Sequence, residues 1–250
     1  MTLSRRQREV LHEMGIPVWV RRGPSGGEAM DSVPRVPSEP LHAPAPAAPA
    51  PVTSSAASSP PVAELDWEAL RTRVASCVAC SELAPRRTQT VFGVGDPHAD
   101  WLFVGEAPGA EEDRRGEPFV GRAGQLLDNM LAALGLGRGE NVYIANILKC
   151  RPPGNRDPAA AEASACRPFL DRQIALVAPR VVIALGRVAA QALLDTDVPL
   201  GRLRGEDRAY GGIPLVVTYH PAYLLRSPAD KAKAWTDLLR ARALMLRRGA

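Results

Sequence analysis

Four short apolar runs, at residues 101–106 (WLFVGE), 142–148 (VYIANIL), 181–185 (VVIAL) and 215–219 (LVVTY), are separated by stretches of helical periodicity. A strand that is apolar on both faces is buried on both sides, and its alternation with helices is the pattern of a parallel sheet covered by helices on each face. The chain is thereby restricted to the α/β class, with four strands enough for a compact sheet. Helices are predicted over residues 66–77, 122–134, 158–177, 187–193 and 229–246. Gly135 and Gly137 close the second of these, as a left-handed cap position favours, and Asp157-Pro158 opens the third by the N-cap and first-turn proline rule.

Composition divides the chain into three parts. Residues 23–61 are almost entirely Pro, Ala, Ser, Gly and Val with a few acids, a mixture that cannot bury enough apolar surface to offset chain entropy and predicts a disordered linker. The folded domain is predicted at residues 62–250, leaving residues 1–22 as a separate segment. No apolar run reaches membrane-spanning length and no apolar block with a cleavage site stands at the amino terminus, so a cytoplasmic protein without membrane contact is expected, and a monomer. The net charge is +4, carried by arginines except at Lys149, Lys231 and Lys233. Codon bias is the first explanation of such an arginine excess and phosphate recognition the second, and +4 permits nucleic-acid binding without requiring it.

Two of the apolar runs end in loops rich in chemistry, GEAPG at residues 105–109 and HPAYLLR at residues 220–226. They bring a carboxylate, an imidazole and backbone donors to the carboxyl edge of the sheet, where open α/β sheets bind ligands. The four cysteines, Cys77, Cys80, Cys150 and Cys166, begin with a C-x2-C pair. Without a secretory signal such a set reads as a metal or cluster site rather than a disulfide framework. The spacing leaves tetrahedral zinc and an iron–sulfur cubane nearly even.

GEAPG, PFVGRAGQLLD (residues 118–128), YIANILKCRPPGNRDP (residues 143–158) and YHPAYLLR, in this order and with the four cysteines, resemble the family 4 uracil-DNA glycosylases from residue 66 to about residue 246. The resemblance implies a three-layer α/β/α uracil-DNA glycosylase fold with a four-stranded parallel sheet, and a 4Fe-4S cluster held by Cys77, Cys80, Cys150 and Cys166. It implies an enzyme that takes uracil out of the DNA stack and hydrolyses its N-glycosidic bond, leaving an abasic site.

Each demand of that chemistry has a candidate. By resemblance Phe119 stacks on the extruded base, a contact worth about 1–3 kcal/mol, although an aromatic residue at this place also suits the core. Asn146 lies within an apolar strand, where an amide is costly unless bonded. Its acceptor and donors match the adjacent N–H and carbonyl of uracil, whereas cytosine presents an amine and a bare ring nitrogen there; a structural amide is the rival reading. His220 precedes a proline that turns the chain and is placed to donate a hydrogen bond to the carbonyl oxygen that gains charge as the bond breaks. Glu106 and Ala107 are expected to hold the base, with the Glu106 carboxylate as weak base to the water. Glu112 and Asp113 are alternatives for that role, and a largely dissociative reaction needs little assistance. Leu224, Leu225 and Arg226 are expected in a loop against DNA, a leucine as wedge and the arginine on a phosphate, while Arg122, Arg151 and Arg156 are candidates for the DNA channel.

Residues 3–22 (LSRRQREVLHEMGIPVWVRR) carry Val10, Leu11 and Met14 on one side of a short helical pattern, then Ile16, Val18 and Trp19 between arginines. Tethered by a disordered linker, such a segment has the form of a peptide that folds on a partner. It is similar to the amino-terminal peptide of the psi subunit of bacterial DNA polymerase III, which implies docking on the clamp loader; a plain basic tail is the alternative. Two other functions stand beside uracil excision: a replisome adaptor whose glycosylase-like domain only binds DNA, and a glycosylase for another deaminated base.

Overall fold

The computed structural model describes residues 60–248. The predicted docking segment at residues 3–22, and all of the predicted linker except its last two residues, lie outside the described residues. Six strands form one sheet: β1 (Val94–Gly95), β2 (Trp101–Gly105), β3 (Val142–Asn146), β4 (Val181–Leu185), β5 (Arg208–Tyr210) and β6 (Ile213–Thr218). Their order is β1-β3-β2-β4-β6-β5. The inner four, β3-β2-β4-β6, are parallel and coincide with the four predicted runs. The expectation of four strands omits the two edges, which pair antiparallel. β1 has two residues and β5 three, with Arg208 and Ala209 exposed, so neither carries an apolar run long enough to register in the sequence.

Beside three short 3-10 turns, the described residues hold eight α-helices: α1 (Trp67–Ala75), α2 (Ala110–Arg115), α3 (Arg122–Ala133), α4 (Ala160–Val177), α5 (Arg187–Leu194), α6 (Leu200–Leu203), α7 (Pro221–Arg226) and α8 (Lys231–Arg248). Asp66 caps α1 by accepting from the Ala69 amide at 2.8 Å, and Gly135, at φ 75°, follows the end of α3 as its left-handed stop. The predicted start of α4 at Asp157-Pro158 is corrected. The helix begins at Ala160 because Glu162 reaches back to the Ala159 amide at 2.8 Å, while Asp157 instead accepts from Arg187 on α5.

Alternation along the parallel strands builds two cores. Leu102, Val104, Tyr143, Ala145, Val182, Ala184, Leu215 and Val217 face α4 and α5, and Trp101, Phe103, Val142, Ile144, Val181, Ile183 and Val216 face α3 and α8. The three predicted layers are thus present, and each fully buried Leu, Ile or Val contributes about 1.5–3 kcal/mol relative to exposure. A smaller third cluster joins Leu70 and Val74 of α1, Leu148, Cys150, Cys166 and Phe169. Among the described residues no helix is long and apolar enough to cross a membrane.

Candidate active site

The carboxyl ends of β2, β3 and β6 open into a cleft of ≈ 480 Å³ lined by Glu106, Ala107, Glu112, Phe119, Asn146, Pro152, Asn155, Arg156, His220, Tyr223 and Arg226, among others. The chain runs from β2 to β3 on one side and then returns to β4 on the other. The loops beyond these strands therefore diverge and leave a crevice.

Asn146 is the last residue of β3 and is 2 % exposed. Its Oδ1 is buried without a hydrogen-bond partner, an arrangement that costs about 1–3 kcal/mol unless a ligand supplies a donor. Its neighbour across the ladder is Gly105. A Cβ at Gly105 would stand 2.4 Å from Asn146 Oδ1 and 2.6 Å from Phe119 Cζ, so the glycine lets an amide and an aromatic ring meet over one strand end. Phe119 itself has φ 57°, a left-handed conformation that is unfavourable for a bulky side chain. Arg138 offsets it: Nη2 donates to the Phe119 carbonyl at 2.8 Å and Nη1 to the Pro118 carbonyl at 2.8 Å, while the guanidinium is held by Asp128.

His220 follows β6 and stacks on Phe119, the ring centroids 5.4 Å apart. Burial, reinforced by Arg226, pushes the imidazole down to about 4 even though Glu112 acts in the opposite direction; the ring is neutral at neutral pH. Nδ1 accepts from the Ala222 amide at 3.1 Å and caps α7. The single proton of the neutral ring therefore resides on Nε2, making it a donor. Gly186 permits the approach: a Cβ there would lie 2.8 Å from His220 Cβ.

Three carboxylates were candidates for water activation, and the structure separates them. Glu106 lies in the cleft, its carboxyl raised above the usual range by burial and by Asp157, with Arg187 opposing. Glu112 also lines the cleft, but its two oxygens accept from the Gly109 and Val120 amides, each at 3.1 Å; it ties the GEAPG loop to the segment bearing Phe119. Asp113 is buried and accepts from the Thr88 amide at 3.0 Å, outside the cleft. It is removed from the water-activating candidates.

The segment expected to be a DNA-facing loop is helix α7. Leu224 is 1 % exposed, so its expected role as a wedge is corrected: the helix turns it into the interior. Leu225 is half-buried, and Arg226 is exposed at the cleft. Among the other arginines, Arg156 lines the cleft but is paired with Glu162 at 2.6 Å and Glu82 at 2.9 Å. Arg151 is bonded to Asn155 at 2.7 Å, and neither it nor the exposed Arg122 lines the cleft.

The four cysteines meet at a second place, lining one small cavity of ≈ 10 Å³ together with Leu83, Leu148, Lys149 and Phe169. No three of them are drawn together around a single-ion point. The donors around them suit sulfur ligands: Arg87 Nη1 donates to Cys150 Sγ at 3.1 Å and the Lys149 amide to Cys166 Sγ at 3.3 Å. Burial pushes the Cys80 and Cys150 thiols up and that of Cys166 up to about 11. Lys149, 1 % exposed, borders this cavity and donates from Nζ to the Asn146 carbonyl at 2.9 Å. It links the thiols to the end of β3.

Arg138, Lys149 and Tyr223 were not among the candidates. Only Tyr223 had a usable signal, since a helix begun at Pro221 turns position 224 inward and 223 outward.

Residues 92–239 match the family model described as the uracil DNA glycosylase superfamily. The chain is 45 % identical to the type-4 uracil-DNA glycosylase of Archaeoglobus fulgidus over 172 residues, which cover 66 % of this chain and 85 % of that protein. It is 41 % identical over 186 residues to the type-4 uracil-DNA glycosylase of Thermotoga maritima, covering 73 % of this chain and 96 % of the relative. It is 32 % identical over 160 residues to the type-5 uracil-DNA glycosylase of Thermus thermophilus, covering 52 % of this chain and 73 % of that protein.

Proposed function

Because the chain belongs to the uracil-DNA glycosylase superfamily and to its type-4 members, we propose that its cleft receives a uracil swung out of DNA, reads it with Asn146 and releases it with the help of His220. The protein is a DNA-repair hydrolase of the N-glycosyl bond, and neither the adaptor nor the other-base reading is favoured. The observation that carries the site reading is the convergence of the unpartnered Asn146 Oδ1, the Phe119 ring and the neutral His220 on one cleft.

In the reaction the bond between the base nitrogen and C1′ breaks and its electron pair leaves with the uracil. Asn146 Oδ1 accepts the ring N–H, and Nε2 of His220 donates to the carbonyl oxygen on which charge gathers. Phe119 covers the base. Water adds to C1′ and loses a proton, for which the Glu106 carboxylate in the cleft lining is the candidate acceptor; its raised affinity for protons suits a weak base. Ala107 follows it in the cleft lining, where its backbone would help hold the base. Arg226 stands at the rim, toward DNA.

Cys77, Cys80, Cys150 and Cys166 are read as ligands of a 4Fe-4S cluster. Bound there, the cluster supplies iron–thiolate bonds that cross-link the segment after α1 to the segment after β3 and the first turns of α4. Sulfur-directed donors from the Arg87 guanidinium and the Lys149 backbone amide fit a site whose ligands are thiolates. One preparation of the full chain tests both readings. It is expected to contain iron and acid-labile sulfide, to absorb in the iron–sulfur region, and to release uracil from oligonucleotides while leaving hypoxanthine and xanthine in place. Absence of uracil release removes the site reading, and iron-free or zinc-loaded protein removes the cluster.

Residues 3–22 are read as a tether to the DNA polymerase III clamp loader. Deleting residues 1–22 is expected to abolish clamp-loader capture by the full chain, and undiminished capture refutes the tether.

A further inference from the structure

Large apolar or aromatic side chains exposed among the described residues are Val78, Tyr223, Trp235, Leu239 and Leu246, and of these Tyr223 alone lines the uracil cleft. It is 36 % exposed and held in place. Its ring stacks on Tyr219 with centroids 5.1 Å apart and planes 17° apart, and its hydroxyl donates to Asp230 at 2.7 Å. Tyr219 is fixed in turn: the Arg204 guanidinium lies over its ring at 4.3 Å and donates to its hydroxyl. Arg204 is anchored by two bonds to the buried Asp237. A column therefore runs from the interior to the cleft rim, Asp237 to Arg204 to Tyr219 to Tyr223, and ends in a partly exposed aromatic ring. Three residues further, on the same short helix, stands the exposed Arg226.

We propose that the exposed part of the Tyr223 ring, rather than a leucine, abuts the gap that a departing uracil leaves in the duplex and stacks on a base that has lost its neighbour. The inference rests on the glycosylase reading of the cleft and adds the residue that stabilises opened DNA. Leu224 is turned into the core and Leu225 is half-buried, so neither presents a large apolar surface without rearrangement of α7. A pre-stacked tyrosine presents one with little further loss of side-chain freedom. Stacking accepts any base, because every base has a π-face; the wedge would therefore impose no sequence preference.

The probe is a duplex carrying a tetrahydrofuran abasic analogue, compared with the same modified strand alone. Substituting Tyr223→Ala is expected to weaken duplex binding by about 5- to 100-fold and single-strand binding by less than about threefold, since only the duplex presents a gap walled by paired bases. Tyr223→Phe, which keeps the ring and drops the Asp230 bond, is expected to hold the duplex-to-single-strand ratio within about threefold of the parent. Leu225→Ala is expected to leave the ratio unchanged. An equal loss on both probes in Tyr223→Ala, no loss on either, or a ratio that collapses in Leu225→Ala overturns the proposal. Because the measurement is of binding, it stands apart from the glycosylase reading, which fails only if the parent protein releases no uracil.

Discussion

Replacing His220 by alanine is expected to lower kcat for uracil release by about 10²–10³-fold while KM changes little, because a donor aimed at a developing oxyanion acts in the transition state far more than in the ground state. The geometry sets the details. The Ala222 amide occupies Nδ1, so the catalytic proton is the one on Nε2, and His220→Gln, which retains an N–H donor, is expected to recover part of the loss. The ring is already neutral well above its depressed value of about 4, so the parent rate should show no inflection belonging to His220 near 6.5, the ordinary imidazole value. Stability follows the same shift. The unfolded chain takes up a proton on this residue as pH falls below 6.5, whereas the folded chain resists protonation until about 4. The stabilising contribution is therefore complete above 6.5 and lost as pH falls through that window. A rate inflection near 6.5 that disappears in His220→Ala would mean a charged, solvated imidazole and would overturn the neutral-donor role.

Much of this arrangement is legible in residues alone, and the parts that are not share a physical cause. The parallel strands declare themselves because Trp101 to Gly105 and their counterparts are buried on both faces and so apolar throughout. Asn146 stands out because an amide among such residues needs a reason, and the unpartnered Oδ1 supplies it. The thiols are readable from C-x2-C spacing, which leaves zinc and an iron–sulfur cluster undecided. What escaped depends on tertiary approach. Nothing local to Arg138 reveals that it clasps the carbonyls of Pro118 and Phe119, and nothing local to Lys149 reveals that its ammonium meets the Asn146 carbonyl. The edge strands escaped because pairing of two or three residues leaves no periodicity. HPAYLLR reads as a loop in the sequence because His-Pro signals a turn. The proline instead occupies the first turn of α7 and His220 caps it, and that one change sends Leu224 inward and Tyr223 outward.

Asn146→Asp is the second substitution with a large expected effect, and its outcome follows from which atoms face the base. In the parent, Oδ1 awaits a donor and the amide nitrogen offers one, a pattern that uracil completes with its ring N–H and carbonyl. A carboxylate at the end of β3, among residues nearly free of solvent, places an oxygen against that carbonyl. Ionisation is opposed by burial. Uracil release is expected to fall by about 10²–10³-fold, since mismatched buried polar groups cost about 3–5 kcal/mol when one of them bears charge. In the fraction of molecules that burial keeps protonated, the same side chain can donate to the bare ring nitrogen of cytosine and accept from its amine, so a low rate of cytosine release from DNA is expected where the parent shows none. Lys149 supports this geometry by holding the Asn146 carbonyl at 2.9 Å, and the backbone at the site is therefore expected to keep its position in the variant. Undiminished uracil release by Asn146→Asp would show that the amide does not read the base, and discrimination would then have to reside in the shape of the cleft around Phe119.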